Sequence, residues 1–234
     1  MKIAIGKDEL LEGLQRVFSI VPQKPTLPVL SNFLLKASDN TVSISGTDMD
    51  ISITTSVECS VSEEGAVTVN AKKFIGIIRE LAPGEVSLSA DEEKVTGTFS
   101  TGQSIIMGMP ASDFPVLRDS LEGVEIGLSG PDLVEMVDKT AFSVSQDRTR
   151  LALTGIFWNI RPDSMTMVST DGHRLSLFTR HVEIETVEGS EAIVPPKSLH
   201  QAAQIISGGS EMRRVVFGNG SILFDFDTTK IFTK

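Results

Sequence analysis

The stretch "MVSTDGHRLSLFTR" (167–180) sets Asp171, Gly172, His173 and Arg174 between two apolar, β-rich flanks. An Asp and a His two residues apart admit three chemistries. Asp171 could orient His173 as a general base acting on a hydroxyl such as Ser176, which would make the chain a hydrolase. The pair could ligate a metal, although nothing nearby supplies the remaining ligands. Or Thr170-Asp171-Gly172 could simply make a turn, with Asp171 accepting from backbone N–H groups and Gly172 taking positive φ. A second stretch, "GTDMD", holds Thr47 and Asp48 in a matching context without Gly or His. The Thr-Asp pair therefore reads as architecture, and the Gly-His-Arg-Leu that follows it reads as an addition to one copy.

The elements around these residues repeat. "KIAIGKDELLEGL" matches "VEIGLSGPDLVEM", and "VSISGTDMDISIT" matches "MTMVSTDGHRLSL", so that Leu10 aligns with Leu133 and Asp48 with Asp171, each 123 residues on. "VTVNAKKFIGII" matches "AIVPPKSLHQAA", aligning Lys73 with Lys197 at 124. One near-constant offset across the chain identifies a tandem repeat of an α+β domain. Each copy is itself doubled; in the first, strand-helix-strands over 2–59 is followed by strand-helix-strands over 66–109. The strands alternate apolar and polar residues, as hairpin-rich antiparallel sheet does when one face is solvated. The domains are expected at 1–119 and 120–234, and the second copy stops where the first continues into the connector "MPASDFPVLRDS", as a fragment of a longer chain would.

Four amphipathic helices are predicted, over 7–21, 70–81, 129–144 and 195–206. Asn70 and Ser129 are their N-cap candidates, while prolines open the last helix. Wheels place Phe74, Ile77, Ile78 and Leu81 inward in the second helix along the chain, and Leu199, Ala202, Ala203 and Ile206 inward in the fourth. Lys72, Gly76 and Arg79 then face outward, as do Lys197, Gln201 and Gln204, with no acid at the centre of either face. The other two helices present mixed charge. Such faces tolerate phosphates weakly, or are ordinary solvated surface.

Composition removes several function classes. With 21 basic and 31 acidic residues the net charge is −10, against a general nucleic-acid binder but not against a local basic face. One cysteine, Cys59, excludes an internal disulfide framework and fits a reducing cytoplasm. No apolar run approaches the ~20 residues of a membrane span. Walker and Rossmann loops, zinc clusters and the G-x-S-x-G elbow are all missing, so no cofactor or metal is expected.

"STDGHRLSL", together with "KPTLPVLSNFLL" (24–35), "NAKKF" (70–74), "MPASDFP" (109–115) and "AIVPPKSL" (192–199), resembles the markers of the bacterial DNA polymerase III β subunit, the sliding-clamp family, in its order and spacing across the whole chain. The resemblance implies tandem DNA-clamp domains with helices on one face and antiparallel sheet on the other. It implies a non-enzymatic processivity factor of DNA replication whose complete chain has three domains, domain three being absent here. Two complete chains would close head to tail around duplex DNA, whereas this chain is expected to be monomeric. Lys24, Lys72, Arg79 and Lys197 would face DNA. Arg150 is assigned with them, at a basic position near the docking pocket; the DNA-near aromatics of the family are Leu151 and Ala152 here. Leu153, Thr170, Gly172, His173, Arg174 and Leu175 would wall half of a hydrophobic pocket. A Gln-x-Leu-x-Leu/Phe segment docks there from the polymerase III α subunit, the clamp loader, other polymerases or mismatch-repair proteins. A hydrolase and a purely structural tandem module stand as the competing readings.

Overall fold

A computed structural model describes residues 1–91, 93–100, 102–182 and 190–234, and the chain divides into two compact units, Met1–Leu117 and Arg118–Lys234. The first unit runs β1 (Lys2–Gly6), α1 (Lys7–Phe18), β2 (Asn32–Ser38), β3 (Thr41–Thr47), β4 (Ile51–Glu58), β5 (Ser60–Glu63), β6 (Gly65–Asn70), α2 (Ala71–Glu80), β7 (Glu85–Asp91), β8 (Lys94–Phe99) and β9 (Gly102–Met107). The second runs β10 (Val124–Ile126), α3 (Gly130–Thr140), β11 (Ile156–Arg161), β12 (Ser164–Thr170), β13 (Leu175–His181), β14 (Ser190–Val194), α4 (Pro196–Ser207), β15 (Met212–Gly218), β16 (Ser221–Phe226) and β17 (Thr229–Thr233). The class is α+β, and the strand pairs within both units are antiparallel.

The internal doubling has a topological signature that sequence does not display. The leading strand of each half joins the sheet of the other half. In the first unit β1 pairs with β7 and β6 pairs with β2. In the second, β10 pairs with β15 and β14 pairs with β11. Each unit is thereby stitched across its own halves, with two helices packed together over the inner sheet faces. Leu10, Leu14, Phe33, Leu35, Ile44 and Ile78 fill the first core, and Trp158, Leu133, Phe224 and Phe226 fill the second, with Trp158 edge-on to Phe217 at 4.9 Å. Gly13 lets α1 lie close on β3 and β4, since a Cβ there would stand 2.7 Å from a Val57 methyl.

The helices start where the caps predict. The Asn70 side chain accepts from Lys73 N–H, and the Ser129 side chain accepts from Asp132 N–H. Two ends come earlier than the periodicity implies. α1 stops at Phe18, because Ile20, fully buried, continues the apolar pattern through a tighter turn in which Ile20 N–H reaches Val17 O. α3 stops at Thr140 and gives way to a 3-10 turn, Ala141–Ser143. The buried stripes also differ from the wheels. Ile75 rather than Ile77 is buried in α2, and Ile205 rather than Ile206 in α4, because each helix packs on its partner helix as well as on strands.

Candidate functional site

β12 and β13 meet in the turn Thr170–Leu175. The Thr170 hydroxyl donates to Arg174 O at 2.7 Å and accepts from Gly172 N–H at 3.1 Å. Asp171 Oδ1 accepts from His173 N–H at 3.0 Å and Arg174 N–H at 2.9 Å. Gly172 sits at φ 88°, the left-handed region that glycine adopts without strain. Those two backbone N–H groups, Arg174 first, hold the Asp171 carboxyl down at about 2, well below its ordinary value.

The first unit builds the same turn with different residues. The Thr47 hydroxyl donates to Ile51 O and accepts from Met49 N–H. Asp48 Oδ1 accepts from Asp50 N–H at 3.3 Å and Ile51 N–H at 2.9 Å, and Met49 takes φ 84°. The Thr-Asp pair is thus turn architecture in both copies. The difference lies after it. Where the first copy buries Ile51 and Ser52, the second exposes Arg174 and Leu175, the latter at 64%.

The carboxylate of Asp171 therefore does not serve His173 as a base. It holds His173 through the backbone, and the Ser176 hydroxyl donates to Lys139 O at 2.5 Å. Among the described residues no hydrogen bond links the His173 ring to Asp171 or Ser176, and no three His, Cys, Asp or Glu side chains are placed to hold a metal ion.

Arg174 is fixed from two sides. Its Nε donates to Asp171 Oδ2 at 3.0 Å, its Nη2 donates to Phe142 O at 2.7 Å, and its guanidinium carbon lies 5.9 Å from the Phe142 ring centroid. Phe142, 58% exposed, is the residue that sequence reasoning missed, since nothing local pairs it with a position 32 residues away. Arg150 lies here too: its Nη1 is 3.5 Å from where a Cβ on Gly172 would stand. Leu153, half-buried, follows on a 3-10 turn (Leu151–Thr154) whose Leu153 N–H donates to Arg150 O. Thr170, Gly172, His173, Arg174, Leu175 and Arg150 thus converge on one surface, an open wall with the Arg174 side chain 59% exposed.

The basic residues of the helix faces are placed as follows. In the first unit Lys24 and Lys72 border one groove with Phe18, Val21 and Pro25, and Arg79 is exposed in the last turn of α2. In the second unit Lys197 is exposed in the first turn of α4.

Comparison with known proteins gives these features a frame. Residues 1–118 match the family profile for the DNA polymerase III beta subunit, N-terminal domain, and residues 127–234 match its central domain. The chain belongs to the DNA polymerase III beta subunit family. The beta sliding clamp of Proteus mirabilis is 34% identical over 213 residues, 90% of this chain and 58% of that protein. The beta sliding clamp of Escherichia coli K12 is 31% identical over 224 residues, 95% of this chain and 61% of that protein. The crystal structure of a sliding clamp (DNA polymerase III subunit beta) from Pseudomonas aeruginosa bound to griselimycin superposes with TM-score 0.93 at 26% identity, over 100% of this chain and 64% of that one. The beta subunit of Caulobacter crescentus gives TM-score 0.92 at 29% identity, over 100% and 65%. The chain spans about three fifths of the length of these beta-subunit relatives. No helix among its described residues is long and apolar enough to cross a membrane.

Proposed function

We propose that this chain supplies the N-terminal (1–119) and central (120–234) domains of a bacterial sliding clamp, a processivity factor that does no chemistry itself. It acts in the cytoplasm on duplex DNA and tethers the replicative polymerase, the clamp loader and repair proteins. In that role Lys24, Lys72, Arg79 and Lys197 face DNA phosphates without base readout. Leu153, Thr170, Gly172, His173, Arg174 and Leu175 form the central domain's share of a docking pocket. In the complete protein two chains associate head to tail.

The observation that carries the docking role is the contrast between the two copies of one turn. The same Thr-Asp scaffold that buries Ile51 in the first copy presents an exposed leucine and a braced arginine in the second. An apolar side chain held out on a rigid turn is what a short peptide with buried anchors requires. The hydrolase reading loses its support because Asp171 and Ser176 are both committed to backbone groups.

The test is a titration of a fluorescent Gln-x-Leu-x-Leu-Phe peptide by anisotropy, with Leu175→Asp as control. Saturable binding is expected, weakened about tenfold or more by a charge placed in the apolar contact. A folded chain that binds no peptide overturns the docking assignment for this chain.

A further inference from the structure

The docking turn is more basic than an apolar peptide needs. We propose that Arg150 and Arg174 form a basic collar that selects partner segments carrying carboxylates next to the docking motif. The proposal rests on the docking assignment above and adds the chemistry of the partner to it.

The geometry of each arginine carries the argument. Arg174 is oriented by its Nε bond to Asp171, its Nη2 bond to Phe142 O and its approach to the Phe142 ring. Its Nη1 makes no hydrogen bond among the described residues, so a fixed donor remains for an incoming acceptor. Arg150 is anchored through its backbone: its N–H donates to Asp147 O at 3.2 Å and its carbonyl accepts from Leu153 N–H at 2.9 Å. Its guanidinium lies against Gly172 and has no carboxylate partner among the described residues.

The acids beside the collar are already occupied. Asp171 accepts two backbone N–H groups in addition to Arg174 Nε. Asp147 accepts from the Thr149 N–H at 3.0 Å and from its hydroxyl at 2.7 Å. Neither carboxylate bonds to Arg150. The collar is also absent from the architectural copy, where the position of Arg174 is taken by the buried Ile51. Asp171 and Asp147 keep their negative charge, so the preference comes from directed donors and not from a net positive field: Arg174 Nη1 and the Arg150 guanidinium are the groups left to bond an incoming carboxylate. A guanidinium already held by two bonds loses less rotamer freedom on binding a carboxylate than a free one would.

The experiment compares the peptide Gln-Ser-Leu-Ser-Leu-Phe extended at either end by three Glu, three Gln or three Lys. Binding is measured at about 50 mM and about 300 mM salt, where screening differs strongly. At low salt the Glu-extended peptide should bind about two- to five-fold tighter per engaged arginine than the Gln-extended one, the range for exposed charge pairs. The Lys-extended peptide should bind more weakly than both. The Glu-to-Gln ratio should fall toward one at high salt, in Arg150→Gln and in Arg174→Gln. Equal binding of the Glu and Gln peptides at low salt overturns the collar while leaving the docking site standing, as does a preference that survives both variants in chains whose circular dichroism is native. Binding by none of the peptides overturns the docking assignment and the collar together.

Discussion

Asp171 earns its place by holding backbone, and that has a consequence for pH. Its carboxyl is held at about 2 against the ordinary 3.8, chiefly by the Arg174 and His173 N–H groups and secondarily by the Arg174 side chain. A carboxylate whose value is depressed in the folded state favours folding most above its unfolded value. That contribution is lost as pH falls from about 3.8 through about 2. An NMR titration of the Asp171 side-chain carboxyl should therefore have its midpoint near 2; a midpoint near 3.8 would mean that the turn bonds do not persist in solution. The same turn shows what one residue type can and cannot disclose. The Thr-Asp pair is legible in sequence because "GTDMD" repeats it, and the positive φ is legible at Gly172 from the glycine itself, whereas Met49 takes the same conformation with no such signal. The bracing of Arg174 by Phe142 is a contact across 32 residues and leaves no local pattern. Arg150, grouped with DNA-facing residues on resemblance but at a position near the pocket, stands beside Gly172, and the specific contact is one that only the folded chain displays.

At the scale of elements, the N-caps are the most legible feature, because a cap is a short-range hydrogen bond between residues three apart. Asn70 Oδ1 accepts from Lys73 N–H at 3.1 Å. It thereby fixes the first turn of α2, on which Lys72 is displayed. Asn70→Ala should destabilise the first unit by about 1 kcal/mol and raise hydrogen exchange at Lys73 selectively. Unchanged protection at Lys73 would show that packing of Phe74 and Ile75, and not the cap, sets the start of the helix. Which face of a helix is buried was less legible. The wheel for α2 favours Ile77, yet Ile75 is buried, because α2 meets α1 and also the strands β2 and β6. A wheel assumes one flat neighbour; a helix in a corner has two. The exchange of leading strands, β1 onto β7 and β6 onto β2, lies further out of reach, since alternation reveals that a strand exists and not which edge it joins.

For the whole molecule, charge decides how DNA can be held. The chain carries −10 overall, and four exposed basic residues are assigned to DNA: Lys24, Lys72 and Arg79 in the first unit and Lys197 in the second. Each phosphate contact on duplex DNA contributes about −0.9 to the slope of log K against log salt, so four contacts limit that slope to about −3.6. Association with a short duplex should accordingly be weak and vanish toward about 200 mM salt. Lys72→Glu should flatten the slope by about one unit or more, while Arg150→Gln should leave it unchanged if Arg150, which stands beside Gly172, serves the proposed docking wall. A slope altered by Arg150→Gln to the same degree as by Lys72→Glu would return that arginine to the DNA-facing set. It would also remove one of the two guanidinium groups from the proposed collar, so the DNA and peptide measurements constrain each other. Tight binding that persists above about 200 mM salt would require contacts beyond these four residues, and the assignment of the helix faces would then be wrong.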